Sequence, residues 1–211
     1  MKINELIGAK NTPAFKAAQA FDMDKSDEDD YSKERTNLTA ELAKLGWTPI
    51  GKGWYSAVYQ HPSYNYVLKV FSHHNKLWME YFNYALKHQD NPHVPKIRGK
   101  LVKLSPNAYA VRMEKLAPVT NEILMKYIDP YWKHISYETG RLTHFNNRPG
   151  YMSDLFDVIF TDENNKFLRR NWPRLVQLYN DIWQEIAHKN GDFDGYQFMA
   201  RGNILVWIDP V

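Results

Sequence analysis

The feature that most constrains the fold is a change in the spacing of apolar residues along the chain. Between Trp47 and Phe71 they come in runs of strand length, Trp47 to Ile50, Ala57 to Gln60 and Tyr66 to Phe71, parted by turn-rich segments such as His61-Pro62-Ser63-Tyr64-Asn65. Such closely spaced runs predict an antiparallel meander. From Asn121 onward the spacing is mainly helical. Its strongest segment is Arg174 to His188, where Leu175, Leu178, Ile182 and Ile186 make one apolar face flanked by Trp183, before a stop at Asn190-Gly191. Between these regions, Leu77 to Leu86 reads as a helix, and Leu101 to Lys103 and Tyr109 to Met113 read as strands. Near the end, Phe198 to Ala200 and Ile204 to Ile208 flank Arg201-Gly202-Asn203, which suits a hairpin turn. The expected class is α+β, a sheet-rich half followed by a helix-rich half.

Upstream of the meander, Pro13 to Ala20 and Thr36 to Leu45 have helical character, the second with Leu38, Leu42 and Leu45 on one side and Gly46 as a C-cap. The acidic stretch Asp22 to Asp30 separates them. Asp22, Asp24 and Ser26 are spaced like calcium-loop ligands, but Asp27 stands where such a loop needs glycine and Lys33 where it needs glutamate, so a solvated linker is expected.

Composition narrows the function classes. The 211 residues are 44% hydrophobic and contain no cysteine, which removes disulfides, zinc-thiolate sites and thiol nucleophiles. With 27 Lys and Arg against 24 Asp and Glu, the net charge is +3, and no long basic run marks a nucleic-acid footprint. The aromatic residues are expected to be core and interface material, and the adjacent His73 and His74 diverge on any regular element, so neither group suggests a base-stacking or metal site. No apolar run reaches the ~18 residues that a membrane span needs, and Met1 to Lys10 lacks the apolar centre of a signal peptide. A soluble cytoplasmic protein is expected.

Chemistry concentrates in Gly51-Lys52-Gly53-Trp54-Tyr55-Ser56-Ala57-Val58-Tyr59, where two glycines between expected strands let backbone N–H groups approach phosphate oxygens. One hairpin later, Val67-Leu68-Lys69-Val70 embeds a lysine in an apolar strand. Period-two alternation puts Lys69 on the face opposite Leu68 and Val70, and an antiparallel neighbour places it beneath the glycine turn, where an ammonium can neutralise phosphate. Glu80, the only acidic residue between Lys69 and Asp90, is the candidate partner for it.

Gly51 to Val70 resembles the glycine-rich loop and lysine strand of protein kinases. More narrowly, Gly-x-Gly-x-x-Ser-Ala-x-Tyr-x-His-Pro, followed by a strand ending in Lys-Val, resembles the small early-gene Ser/Thr kinases of podovirus-type bacteriophages, with Ser56 in place of a third glycine. Asn91-Pro92-His93-Val94-Pro95-Lys96 is similar to the kinase linker after helix C, and Met113-Glu114-Lys115-Leu116 to the hinge that meets adenine. Val206-Trp207-Ile208-Asp209-Pro210-Val211 is similar to the metal-binding Asp-Phe-Gly segment. The likeness spans Gly46 to Leu116 and Arg174 to Val211. It implies a two-lobed protein-kinase-like fold, with residues 1–45 as a helical extension, 46–116 as a sheet lobe and hinge, and 117–211 as a reduced helical lobe.

On that resemblance Gly51, Gly53, Ser56, Val58, Lys69, Glu80, Glu114 and Leu116 hold ATP, Asp209 binds Mg²⁺, and Asp192 is the base. A kinase catalytic loop carries Asp and, five residues on, a metal-binding Asn, and two registers compete. Asn203 puts Phe198 at the base position and leaves six residues to Asp209, too few for two strands and a turn. Gln197 puts Asp192 there and leaves twelve, enough for the hairpin, so Gln197 becomes the second metal ligand. The expected activity is transfer of the ATP γ-phosphate to Ser or Thr of host proteins. The chain ends two residues after Asp209, which keeps open a catalytically weak kinase-like module that binds and inhibits a host protein. Nucleotidyl transfer and phosphorylation of a small molecule also stay open.

Overall fold

The computed structural model describes residues 11–21, 28–53, 55–72, 76–120, 122–123, 126–127, 166–185 and 198–208. Two compact units emerge, the first made of Met1–Met79 and Lys96–Lys115 and the second of Glu80–Pro95 and Leu116–Val211.

In the first unit, helix α1 (Pro13–Gln19) starts as its sequence dictates. Pro13 occupies the first turn, where no N–H is needed, and the Thr12 hydroxyl accepts from the Phe15 N–H at 3.2 Å. Helix α2 (Glu28–Ala43) begins earlier than the leucine spacing predicts, taking in Glu28, Asp29 and Asp30 from the acidic stretch. Its end is a Schellman motif. Gly46 takes φ +84°, the Trp47 N–H reaches the Leu42 carbonyl at 3.1 Å, the Gly46 N–H reaches that of Ala43 at 3.0 Å, and Leu42 and Trp47 are buried in one cluster.

Strands β1 (Thr48–Gly53), β2 (Ser56–Gln60), β3 (Tyr66–Ser72), β4 (Val102–Lys103) and β5 (Ala108–Glu114) form an antiparallel sheet in the order β1-β2-β3-β5-β4. The sequence places Gly51 and Gly53 in a turn between strands. In the structure both lie within β1, paired with Val58 and Ser56, and the chain reverses after them. Glycine contributes no side chain to the period-two pattern, so the strand's extension through it left no signal in the sequence.

Register assigns the faces. Ala57, Tyr59, Leu68, Val70, Ala108 and Ala110 share one face and are buried with Ala14, Phe15, Ala18, Phe21, Leu38, Leu42 and Trp47. The described part of the 1–45 segment thus packs within the first unit. Ser56, Val58, Lys69, Phe71 and Val111 lie on the other face.

Helix α3 (Lys76–Lys87) follows β3, and its buried Trp78, Tyr81, Phe82 and Ala85 recur at helical spacing. In the second unit β6 (Ala117–Pro118), β7 (Phe198–Arg201) and β8 (Ile204–Trp207) form a small antiparallel sheet, and helices α4 (Lys166–Asn171) and α5 (Pro173–Glu185) supply the buried Leu175, Leu178, Tyr179 and Ile182. The β7–β8 hairpin turns on Gly202, at φ +56°, and Asn203.

Buried and half-buried polar groups fix that hairpin. Arg201 donates to the carbonyls of Pro92 at 2.7 Å and Val94 at 3.0 Å, the Trp207 N–H to that of His93 at 2.9 Å, and His93 Nδ1 to that of Leu205 at 2.8 Å. The Asn91 amide caps the arrangement by donating to the Arg174 carbonyl and accepting from the His93 N–H. The Tyr81 hydroxyl donates to the Trp207 carbonyl. Among the described residues no helix is long and apolar enough to cross a membrane.

Candidate functional site

Three neighbouring strands bring the glycine segment and the lysine into one lateral row. Gly51 on β1 lies opposite Val58 on β2, and Val58 lies opposite Lys69 on β3, which lies opposite Val111 on β5. Directly opposed residues in a sheet project to the same face. Sequence alternation expected this face for Lys69, and the register fixes its partners. A methyl group at Gly51 would touch only Val58, at 3.7 Å, so the fold itself leaves room for a side chain. Glycine there keeps the surface over Val58 low. Ser56, at 5% exposure, is opposite Gly53 in the next row.

Lys69 is 5% exposed. Removing an ammonium from water is costly unless other groups stabilise it. One of its neighbours is the ring of Trp78, whose centroid lies 4.1 Å from Nζ, and Trp78 in turn packs on Phe71 at 4.3 Å. A desolvated cation–π contact of this kind contributes about 2 kcal/mol. Trp78 is not among the sequence candidates, although its place on the apolar stripe of α3, one helix after the lysine strand, is a signal the sequence carries.

The structure also describes Glu80, Glu114 and Leu116. Glu80 is exposed on α3. Glu114, 9% exposed at the end of β5, has its carboxylate on the Lys96 N–H at 2.6 Å and its own N–H on the Lys96 carbonyl at 2.9 Å. Its N–H is therefore already committed within the sheet. Leu116 is half-buried just before β6.

Asp192, Gln197 and Asp209 lie outside the described residues, as do His73, His74 and the Asp22 to Ser26 part of the acidic stretch. Asn203 and Phe198, the residues of the competing register, are described. Asn203 sits exposed in the turn with its carbonyl accepting from the Tyr127 hydroxyl, and Phe198 stacks on Trp207 with centroids 5.1 Å apart. The bonds of His93 and Arg201 hold the β7–β8 hairpin.

Among the described residues no group of three His, Cys, Asp or Glu side chains could hold a metal ion. No family model matches the chain, and no curated protein matches it.

Proposed function

We propose that this protein is a two-lobed, protein-kinase-like enzyme that transfers the γ-phosphate of ATP to Ser or Thr hydroxyls of host proteins in the cytoplasm. The observation that carries the reading is the Gly51–Val58–Lys69 row, a buried lysine on the third strand sharing a face with a glycine that the fold does not require. Kinase chemistry needs that set: a low glycine backbone over the phosphates, an apolar side chain beside it for the base, and a third-strand ammonium for phosphate oxygens. The kinase likeness of Asn91 to Lys96 gains support from the burial of Asn91 and His93 within the second unit.

Gly51, Gly53, Ser56 and Lys69 then hold the triphosphate, and Val58 meets the adenine. Asp192 accepts the proton as the acceptor oxygen bonds to the γ-phosphorus and the bond to the β–γ bridging oxygen breaks, releasing ADP. Asp209 and Gln197 are the residues for Mg²⁺, which when bound neutralises phosphate charge.

The test is incubation of the protein with labelled ATP and host lysate, comparing wild type with Asp192→Ala, followed by mass spectrometry of labelled targets. A phosphate added by wild type and lost in Asp192→Ala, with nucleotide binding kept, is expected. A nucleotidyl adduct, or a biological effect undiminished in Asp192→Ala, overturns this reading in favour of nucleotidyl transfer or of stoichiometric inhibition.

A further inference from the structure

One row away from Lys69, the same sheet face becomes aromatic. Phe71 follows Lys69 by two residues on β3, so both side chains stand on this face, and Phe71 lies directly opposite Ser56 on β2 and Tyr109 on β5. The rings of Phe71 and Tyr109 stack with centroids 5.7 Å apart. Trp78, the third residue of α3, packs on Phe71 at 4.3 Å, and the same indole lies 4.1 Å from the Lys69 Nζ. It therefore bridges two consecutive positions of one strand face. The register of β3 and β5 fixes Phe71 and Tyr109, and Phe71 in turn backs the indole.

Phe71 and Trp78 are fully buried. An apolar side chain of similar size would fill the space beside Phe71 equally well and would offer the buried Lys69 charge nothing. An indole face offers more, because of the aromatic side chains it attracts a cation most strongly. A ring on one side of an ammonium draws on its charge without consuming the N–H donors that point away from it. Lysine has a long flexible stem, and ordering it on a phosphate is costly unless the side chain is held beforehand.

We infer that Trp78 is a positioning residue of the Lys69 row: its ring holds the ammonium in place before a phosphate arrives and so sets how strongly the lysine engages it. The inference rests on the nucleotide reading of that row. Because Trp78 acts through the ammonium, its effect falls on the phosphate groups of a nucleotide and spares the nucleoside part.

The test titrates the full chain with ATP and Mg²⁺, and separately with adenosine, which carries no phosphate for Lys69, by calorimetry for wild type, Trp78→Phe and Trp78→Met. Methionine keeps apolar bulk without a ring face, and an ATP affinity about tenfold weaker is expected. Phenylalanine keeps a weaker face and should recover most of that loss, ending about threefold below wild type. Adenosine affinity should be the same in all three proteins. If Trp78→Met does not fold, Trp78→Phe alone decides. Equal ATP affinities in wild type and Trp78→Phe, or in Trp78→Phe and Trp78→Met, or a loss matched by adenosine, overturn the role of Trp78 and leave the nucleotide site standing. A wild type that binds no ATP overturns the nucleotide reading, and this inference with it.

Discussion

In the first unit Phe21, Leu38, Leu42 and Trp47 close an apolar core on one sheet face, whereas in the second the Asn91 to Val94 segment is fixed by buried and part-buried hydrogen bonds to α5 and to the β7–β8 hairpin. Apolar contacts are many and non-directional, so loss there scales with the volume removed. Buried polar contacts are few and directional, and removing one partner strands the other. The first unit should degrade by degrees, the second by the loss of single groups.

Trp47→Ala breaks the apolar side of this comparison most severely. It empties a fully buried site and removes the contact that closes the α2 cap, and a loss of about 3–5 kcal/mol is expected in chemical denaturation. Arg201→Ala is the polar counterpart: it leaves the Pro92 and Val94 carbonyls without their donor, at a cost of about 1.5–3 kcal/mol. Arg201→Lys should recover only part of that, because one ammonium cannot reproduce the two-pronged geometry.

The glycines sharpen the contrast between structure and function. Gly46→Ala forces a left-handed backbone on a β-carbon placed 2.7 Å from His61 Nε2, with an expected loss of about 1–2 kcal/mol. Gly51→Ala meets only Val58 at an ordinary distance, and a stability change within about 0.5 kcal/mol is expected alongside weakened ATP binding.

The smallest effect is on pH. Burial lowers the His93 pKa, opposed by its bond to the Leu205 carbonyl and assisted by Arg201, so the folded protein holds the neutral ring. As pH falls below the ordinary value of 6.5, the unfolded chain takes up this proton before the folded one does, and stability is lost until the folded pKa is passed. His93→Gln should flatten that part of a stability–pH curve.

The strands other than β6, α5 and the hairpin were legible in the sequence because each is encoded locally, by apolar spacing bounded by turn residues. So was the face on which Lys69 stands. What escaped was set by partners distant in sequence. The extension of β1 through Gly51 and Gly53 depends on β2, and the bonds from Arg201 to Pro92 and Val94 span more than 100 residues. Helix α2 was read too short because Glu28, Asp29 and Asp30 carry no apolar signal, although acidic groups suit a helix N-terminus. The aromatic residues as a group read as core and interface material, and the contact of the Trp78 ring with Lys69 depends on how α3 packs beside β3.

The central claim is that the Lys69 row binds a nucleoside triphosphate, and the most direct measurement is the melting temperature of the full chain with and without ATP and Mg²⁺, for wild type and Lys69→Met. Methionine keeps an apolar stem beside Trp78 while removing the charge. At ~100 times its dissociation constant, a ligand bound only by the folded state adds about 2.7 kcal/mol, so a clear rise is expected in wild type and little in the variant. Equal responses in the two proteins, or a wild type indifferent to millimolar nucleotide, would contradict the account.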